Sequence, residues 1–176
     1  MKYTLILFFL FPILGFAQQF IQGKDIIPFA SIASSNYLLP SNRLTIDNAH
    51  SKLLEFRGSD SDVKKDKILG EYFFVNGFLV STICESLNTL KEKKYPGINS
   101  TYLYLKQDYD PNTQYLSYEN RGNIKILIFY INKLTELHFF IKNEKHSIMG
   151  SVLCKSVQKN EAQNFITTLT STIKFN

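Results

Sequence analysis

From Ser100 onward, apolar and aromatic residues recur at every second position. Tyr102-Tyr104, Tyr115-Ser117, Ile124-Ile126-Ile128-Tyr130, Leu137-Phe139-Ile141 and Ile148-Val152 each send alternate side chains to one face, which is the period of a β-strand. The breaks between them carry turn chemistry: Asp110-Pro111-Asn112, Asn120-Arg121-Gly122-Asn123, Asn132-Lys133 and Asn143-Glu144-Lys145. Connections this short join antiparallel neighbours, because a parallel partner needs a long crossover. The second half of the chain is therefore predicted to be an antiparallel meander. Ile124 to Ile131, apolar on both faces apart from Lys125, is expected to be its central strand.

The first half adds shorter elements. Ile26 to Ala33 reads as a strand or a short helix. Asp47 is expected to cap a helix that carries Ala49, Leu53, Leu54 and Phe56 inward and stops at Gly58. Ser59 to Lys67 is a charged, exposed loop. Ile68 to Val75 is a buried strand ending in the hairpin signal Asn76-Gly77. The spacing of Leu79, Val80, Ile83, Cys84, Leu87 and Leu90 then predicts a helix over 78–94, stopped by Pro96-Gly97. Near the end, Asn160 caps a last helix, Gln163 sits at the capping-box position, and Ala162, Phe165, Ile166 and Leu169 form its apolar stripe. Thr172 to Phe175 is expected to return to the sheet. The expected fold is α+β, a single domain: a largely antiparallel β-meander with a mid-chain helix and a C-terminal helix packed on the sheet.

The start of the chain is read separately from the fold. Lys2 precedes an apolar run from Leu5 to Leu14, and Gly15-Phe16-Ala17 supplies the small residues of a signal-peptidase site. Residues 1–17 are therefore expected to be a cleaved signal peptide and 18–176 the mature domain, exported to the periplasm or the extracellular space. Pro12 interrupts the run, which is short for a membrane span, and no later stretch reaches spanning length. Lysine and arginine exceed aspartate and glutamate by 20 to 15. The basic residues are scattered, and the cluster Lys91, Lys93, Lys94 falls at an expected helix end, so nucleic acid is not an expected partner. Cys84 and Cys154 lack Cys-x-x-Cys spacing. In an oxidising compartment they form either a disulfide or two separate buried thiols.

The segment from about Lys133 to Phe175 consists of a hairpin, an exiting strand with Gly150, and a helix closing in Ser171-Thr172-Ile173-Lys174-Phe175. It resembles the C-terminal end of PsbP-like proteins and of the related DcrB-type bacterial envelope proteins, through pattern more than identities. The resemblance covers the C-terminal quarter, and the expected helix at 78–94 has no counterpart in it. It implies an accessory, binding or assembly role on a non-catalytic scaffold, and it transfers no functional residues.

Four groups of residues are candidates for chemistry. Asp108, Asp110, Asn112 and Glu119 have the oxygen ligands of a calcium loop at positions 1, 3, 5 and 12, but Thr113 stands where the tight turn wants Gly and no helix is expected on either side. A polar hairpin turn accounts for the same residues. Asp60, Asp62 and Asp66 are neutralised by Lys64, Lys65 and Lys67. His50, His138 and His146 show no metal spacing, and no Gly-x-Ser-x-Gly elbow or glycine-rich phosphate loop is present. Tyr102, Tyr104, Tyr109, Tyr115 and Tyr118 are candidates for contacting a partner, or are ordinary cross-strand tyrosines. The expected function is binding another protein, as an accessory or immunity-type factor, without a cofactor. The alternatives are a hydrolase using one of the histidines with a carboxylate, and a module for a lipid or other apolar ligand.

Overall fold

The computed structural model describes residues 19–22, 25–28, 33–34, 37–58, 63–68, 70–86, 97–130 and 135–175. The expected signal peptide lies outside them, as do Asp60, Asp62 and residues 87–96. The described strands are β1 (Gln19–Gln22), β2 (Asp25–Pro28), β3 (Ala33–Ser34), β4 (Glu71–Val75), β5 (Phe78–Ser86), β6 (Tyr115–Arg121), β7 (Ile124–Tyr130), β8 (Glu136–Lys142), β9 (His146–Leu153) and β10 (Lys174–Phe175). The α-helices are α1 (Ile46–Arg57), α2 (Ile98–Gln107) and α3 (Lys159–Thr172).

Six strands form one antiparallel sheet in the order β4-β5-β9-β8-β7-β6. β6 to β9 are the expected meander, and the β4–β5 hairpin joins along the free edge of β9. β1 and β2 pair with each other, and β10 pairs with β3 rather than returning to the large sheet. The Asn76-Gly77 turn is the one its sequence calls for: both residues have positive φ, at 51° and 81°, so the turn twist matches the strands it joins.

Alternation divides the sheet into two apolar faces. On one, Phe73, Val80, Val152, Leu137, Phe139 and Ile128 meet Ala162, Phe165, Ile166 and Leu169 of α3. The stripe predicted for that helix is therefore its buried face, although the helix starts at Lys159 with Gln158 as its cap rather than Asn160. On the other face lie two smaller clusters. Leu53 of α1 packs on Leu79 and Leu153, and Ile98 of α2 packs on Leu127 and Phe140. Fully burying side chains of this size contributes roughly 1.5–3 kcal/mol each. α1 agrees with expectation except for its cap, since the Thr45 side chain, not Asp47, accepts from Asn48 N–H; Gly58 (φ 92°) closes it by donating to the Leu54 carbonyl.

The expected helix over 78–94 is a strand across its described part. Phe78, Val80, Thr82 and Cys84 face α3, while Leu79 packs under α1 on the opposite side. A strand buried on both faces loses its alternation and acquires i, i+3, i+4 apolar pairs by accident. The mid-chain helix lies instead at α2, where Tyr102-Tyr104 was expected to be a strand. Ile98, Tyr102 and Leu105 share one side of that helix at i, i+4, i+7 and cover the sheet. β7 is not central but second from the edge, between β8 and β6. Its second apolar face is explained by α2 rather than by further strands.

Candidate functional site

α2 lies over β8, β7 and the edge strand β6, and its attachment there is built from tyrosines. Tyr102 stacks on Tyr118 of β6, with ring centroids 4.7 Å apart and planes 17° from parallel. The Tyr118 hydroxyl donates to Asn99 Oδ1 at 2.7 Å, and Lys125 reaches the same oxygen at 3.4 Å. Tyr102 and Tyr118 thus hold the helix to the sheet. Leu103 and Tyr104, on the other side of the helix, are 60% and 73% exposed.

Beyond α2 the chain turns back to β6 through a self-bonded loop. Asp110 accepts from Asn112 N–H at 2.9 Å, Asn112 Nδ2 at 3.0 Å and Thr113 Oγ1 at 3.0 Å. Gln114 Oε1 in turn accepts from the Asp110 N–H at 3.0 Å. The loop and the last turn of α2 enclose a cleft of about 250 Å³ against the sheet, lined by Tyr104, Leu105, Asp108, Tyr109, Gln114, Tyr115, Leu116, Phe129 and Tyr130. Its inner wall is fixed by Lys159 of α3, whose Nζ donates to the Tyr130 hydroxyl at 2.8 Å. Of the expected contact tyrosines, Tyr104, Tyr109 and Tyr115 line this cleft and Tyr102 and Tyr118 do not. Leu116 and Phe129, neighbours across β6 and β7, complete it and are not singled out by sequence reasoning, because as strand residues they read as core.

Asp108, Asp110, Asn112 and Glu119 do not converge. Asp110 is committed to its own turn, whose donors, led by the Asn112 N–H, hold its carboxyl below the usual range. Glu119 accepts both Arg121 Nε at 2.6 Å and Nη2 at 2.9 Å. Asp108 ends α2 and has no bonded partner among the described residues. Among those residues, no three histidine, cysteine or acidic side chains form a group able to hold a metal.

The histidines are dispersed over α1, β8 and β9. His50 bonds the Val63 carbonyl at 2.9 Å, and His146 lies at the start of β9 with Nδ1 buried. His138 sits on the α1–α2 face of β8, two residues from Glu136 and directly across from Ser151, which hydrogen-bonds Ser81 at 2.9 Å. A serine, a histidine and an acid thus share one face. Each is otherwise engaged: Glu136 pairs with Arg57 at 2.7 Å, His138 stacks on Phe129 at 5.2 Å, and Ser151 is buried against Ser81. Burial holds the His138 imidazole below its ordinary value, with Glu136 opposing. No hydrogen bond links nucleophile to base or base to acid, which acyl transfer requires.

Cys84 and Cys154 are free, buried thiols. The β5–β9 register places Cys84 opposite Ile148, six residues before Cys154, which is roughly 20 Å along the strand. A disulfide needs Cα atoms within about 7 Å, so of the two expected states the structure has separate thiols. Compared with known proteins, the chain matches no family model, and no curated protein is significantly similar to it.

Proposed function

We propose that this is an exported, non-catalytic protein that works by binding another protein through the corner formed by α2 and the β6–β7 end of the sheet. The observation that carries this reading is the pairing of exposed Leu103 and Tyr104 on α2 with an aromatic-walled cleft beside them. Large apolar side chains on a helix pinned to the sheet present a preformed surface, and tyrosine supplies contact area at little conformational cost. The signal-peptide pattern of residues 1–17 supports a site of action in the periplasm or outside the cell. The resemblance of the C-terminal quarter to PsbP-like and DcrB-type proteins agrees with an accessory or assembly role.

The test is a capture experiment with residues 18–176, run in parallel with Leu103→Asp. One stoichiometric, salt-resistant partner retained by the parent chain and lost by the variant is the expected result. Equal retention by both would remove the corner from the interaction.

A further inference from the structure

The chemistry of the cleft identifies the group it receives. Its walls are aromatic faces, and Tyr104 stands 73% exposed at its mouth as a platform. Its polar groups are of both kinds. The Asp108 carboxylate is an unengaged acceptor, and Gln114, whose Oε1 is held by the Asp110 N–H, has its Nε2 left to donate. Asp108 is the only charged residue in the lining. An anion would meet Asp108 at the negative end of the α2 dipole. At about 250 Å³, the cleft is below the range that holds drug-sized ligands. The lining fits a compact group without negative charge, with one flat apolar face to stack on tyrosine and an edge of hydroxyls that both donate and accept.

We propose that the cleft binds a single neutral pyranose carried by the protein partner, with Tyr104 stacking on the sugar face and Asp108 and Gln114 taking its hydroxyls. The proposal rests on the corner being the interaction surface and names the group that enters it. A pyranose has the C–H face that stacking needs, and its vicinal hydroxyls bridge an acceptor and a donor side chain together. An apolar ligand would leave Asp108 and Gln114 desolvated without replacement bonds.

The experiment is an NMR titration of residues 18–176 with a panel of methyl pyranosides covering gluco, galacto, manno and N-acetylglucosamine configurations. Sorbitol serves as a polyol without a stacking face, and N-acetylarginine amide as a cation. At least one pyranoside should shift the resonances of Tyr104, Tyr109 and Gln114 saturably, with sorbitol and the arginine amide inert. Tyr104→Ala should weaken that pyranoside by about tenfold, and Asp108→Ala should weaken it without moving the far end of the sheet. Equal response to sorbitol, response to the arginine amide alone, or no response to any pyranoside would overturn the proposal. A second arm separates it from the interaction itself. A captured partner that binds equally well after enzymatic deglycosylation overturns the pyranose and leaves the protein interaction standing. Saturable pyranoside binding with no partner lost through Leu103→Asp keeps the pyranose and assigns it to free sugar.

Discussion

Glu71 gives the most discriminating prediction about the stability of this fold. Its side chain is 5% exposed on the α3 face of β4, with Oε1 2.7 Å from Arg43 and Oε2 buried without a hydrogen bond. Burial raises its carboxyl from the ordinary value of 4.5 to about 7, and the Arg43 guanidinium opposes the rise. Between those values the folded protein holds a proton that the unfolded chain has released. Stability is therefore complete below about pH 4.5 and is lost as pH rises to about 7. The interval sets a ceiling of about 3 kcal/mol. Solvent at the part-exposed Arg43 screens the site, so about 2 kcal/mol is the expected loss between about pH 5 and pH 8. Glu71→Gln keeps the shape and an oxygen for Arg43 but cannot ionise. Urea unfolding followed by circular dichroism at several pH values should find parent and variant equal near pH 5 and the variant more stable by about 2 kcal/mol near pH 8. His138 and His146, both held low by burial, contribute stability that rises with pH, but they do so in both proteins and cancel in the difference. A parent protein that gains stability relative to the variant as pH rises would refute the argument, because attraction to Arg43 would then outweigh burial.

Other outcomes follow from geometry. Gly150→Ala would place a methyl group 2.6 Å from Phe139 Cζ and against the Ser81 carbonyl, and should cost about 3 kcal/mol or more by thermal denaturation. Phe139→Leu in that background should not rescue it, since the backbone contact remains. Leu53→Ala removes the α1 anchor over Leu79 and Leu153 and should cost about 2–5 kcal/mol in urea. Cys84 and Cys154 should both resist a thiol reagent in the native protein and both react in denaturant without prior reduction; recovery of fewer than two thiols would contradict the register of β5 and β9. Asp110→Ala should lower the melting temperature by the same amount with and without millimolar calcium, because the carboxylate serves its own turn.

The meander was legible in the sequence because its strands keep apolar residues at every second position and are joined by turns built from Asn, Asp or Gly. The Asn76-Gly77 hairpin and the α3 stripe were legible for the same local reason. What misled was burial on both faces. Leu79, Val80, Ile83 and Cys84 carry the helical spacing because α1 and α3 cover opposite sides of β5. Their β-branched content and the hairpin turn before them were the better guides. Tyr102 and Tyr104 misled in the opposite direction, since two residues at a spacing of two are too few to fix a period. The site was half legible: tyrosines at 104, 109 and 115 meet in the cleft, but their meeting depends on α2 crossing the sheet. That crossing is a property of topology and is written in no short segment. The serine–histidine–acid row was hidden likewise, because Ser151 meets Glu136 and His138 only through the β8–β9 register.

The attachment of β5 to β9 has a kinetic consequence. β6 through β9 pair through turns of a few residues, so each ladder closes a small loop. The β5–β9 ladder pairs Ser86 with His146 and must close a loop of roughly 60 residues, an entropic cost about 2–3 kcal/mol above that of a hairpin. That cost is met at one ladder, which is also the one that joins the two halves of the sheet. Substitutions along β5 should therefore speed unfolding, whereas substitutions in the β7–β8 hairpin should slow folding. A sheet whose joining seam is also its longest loop completes only after its hairpins have paired.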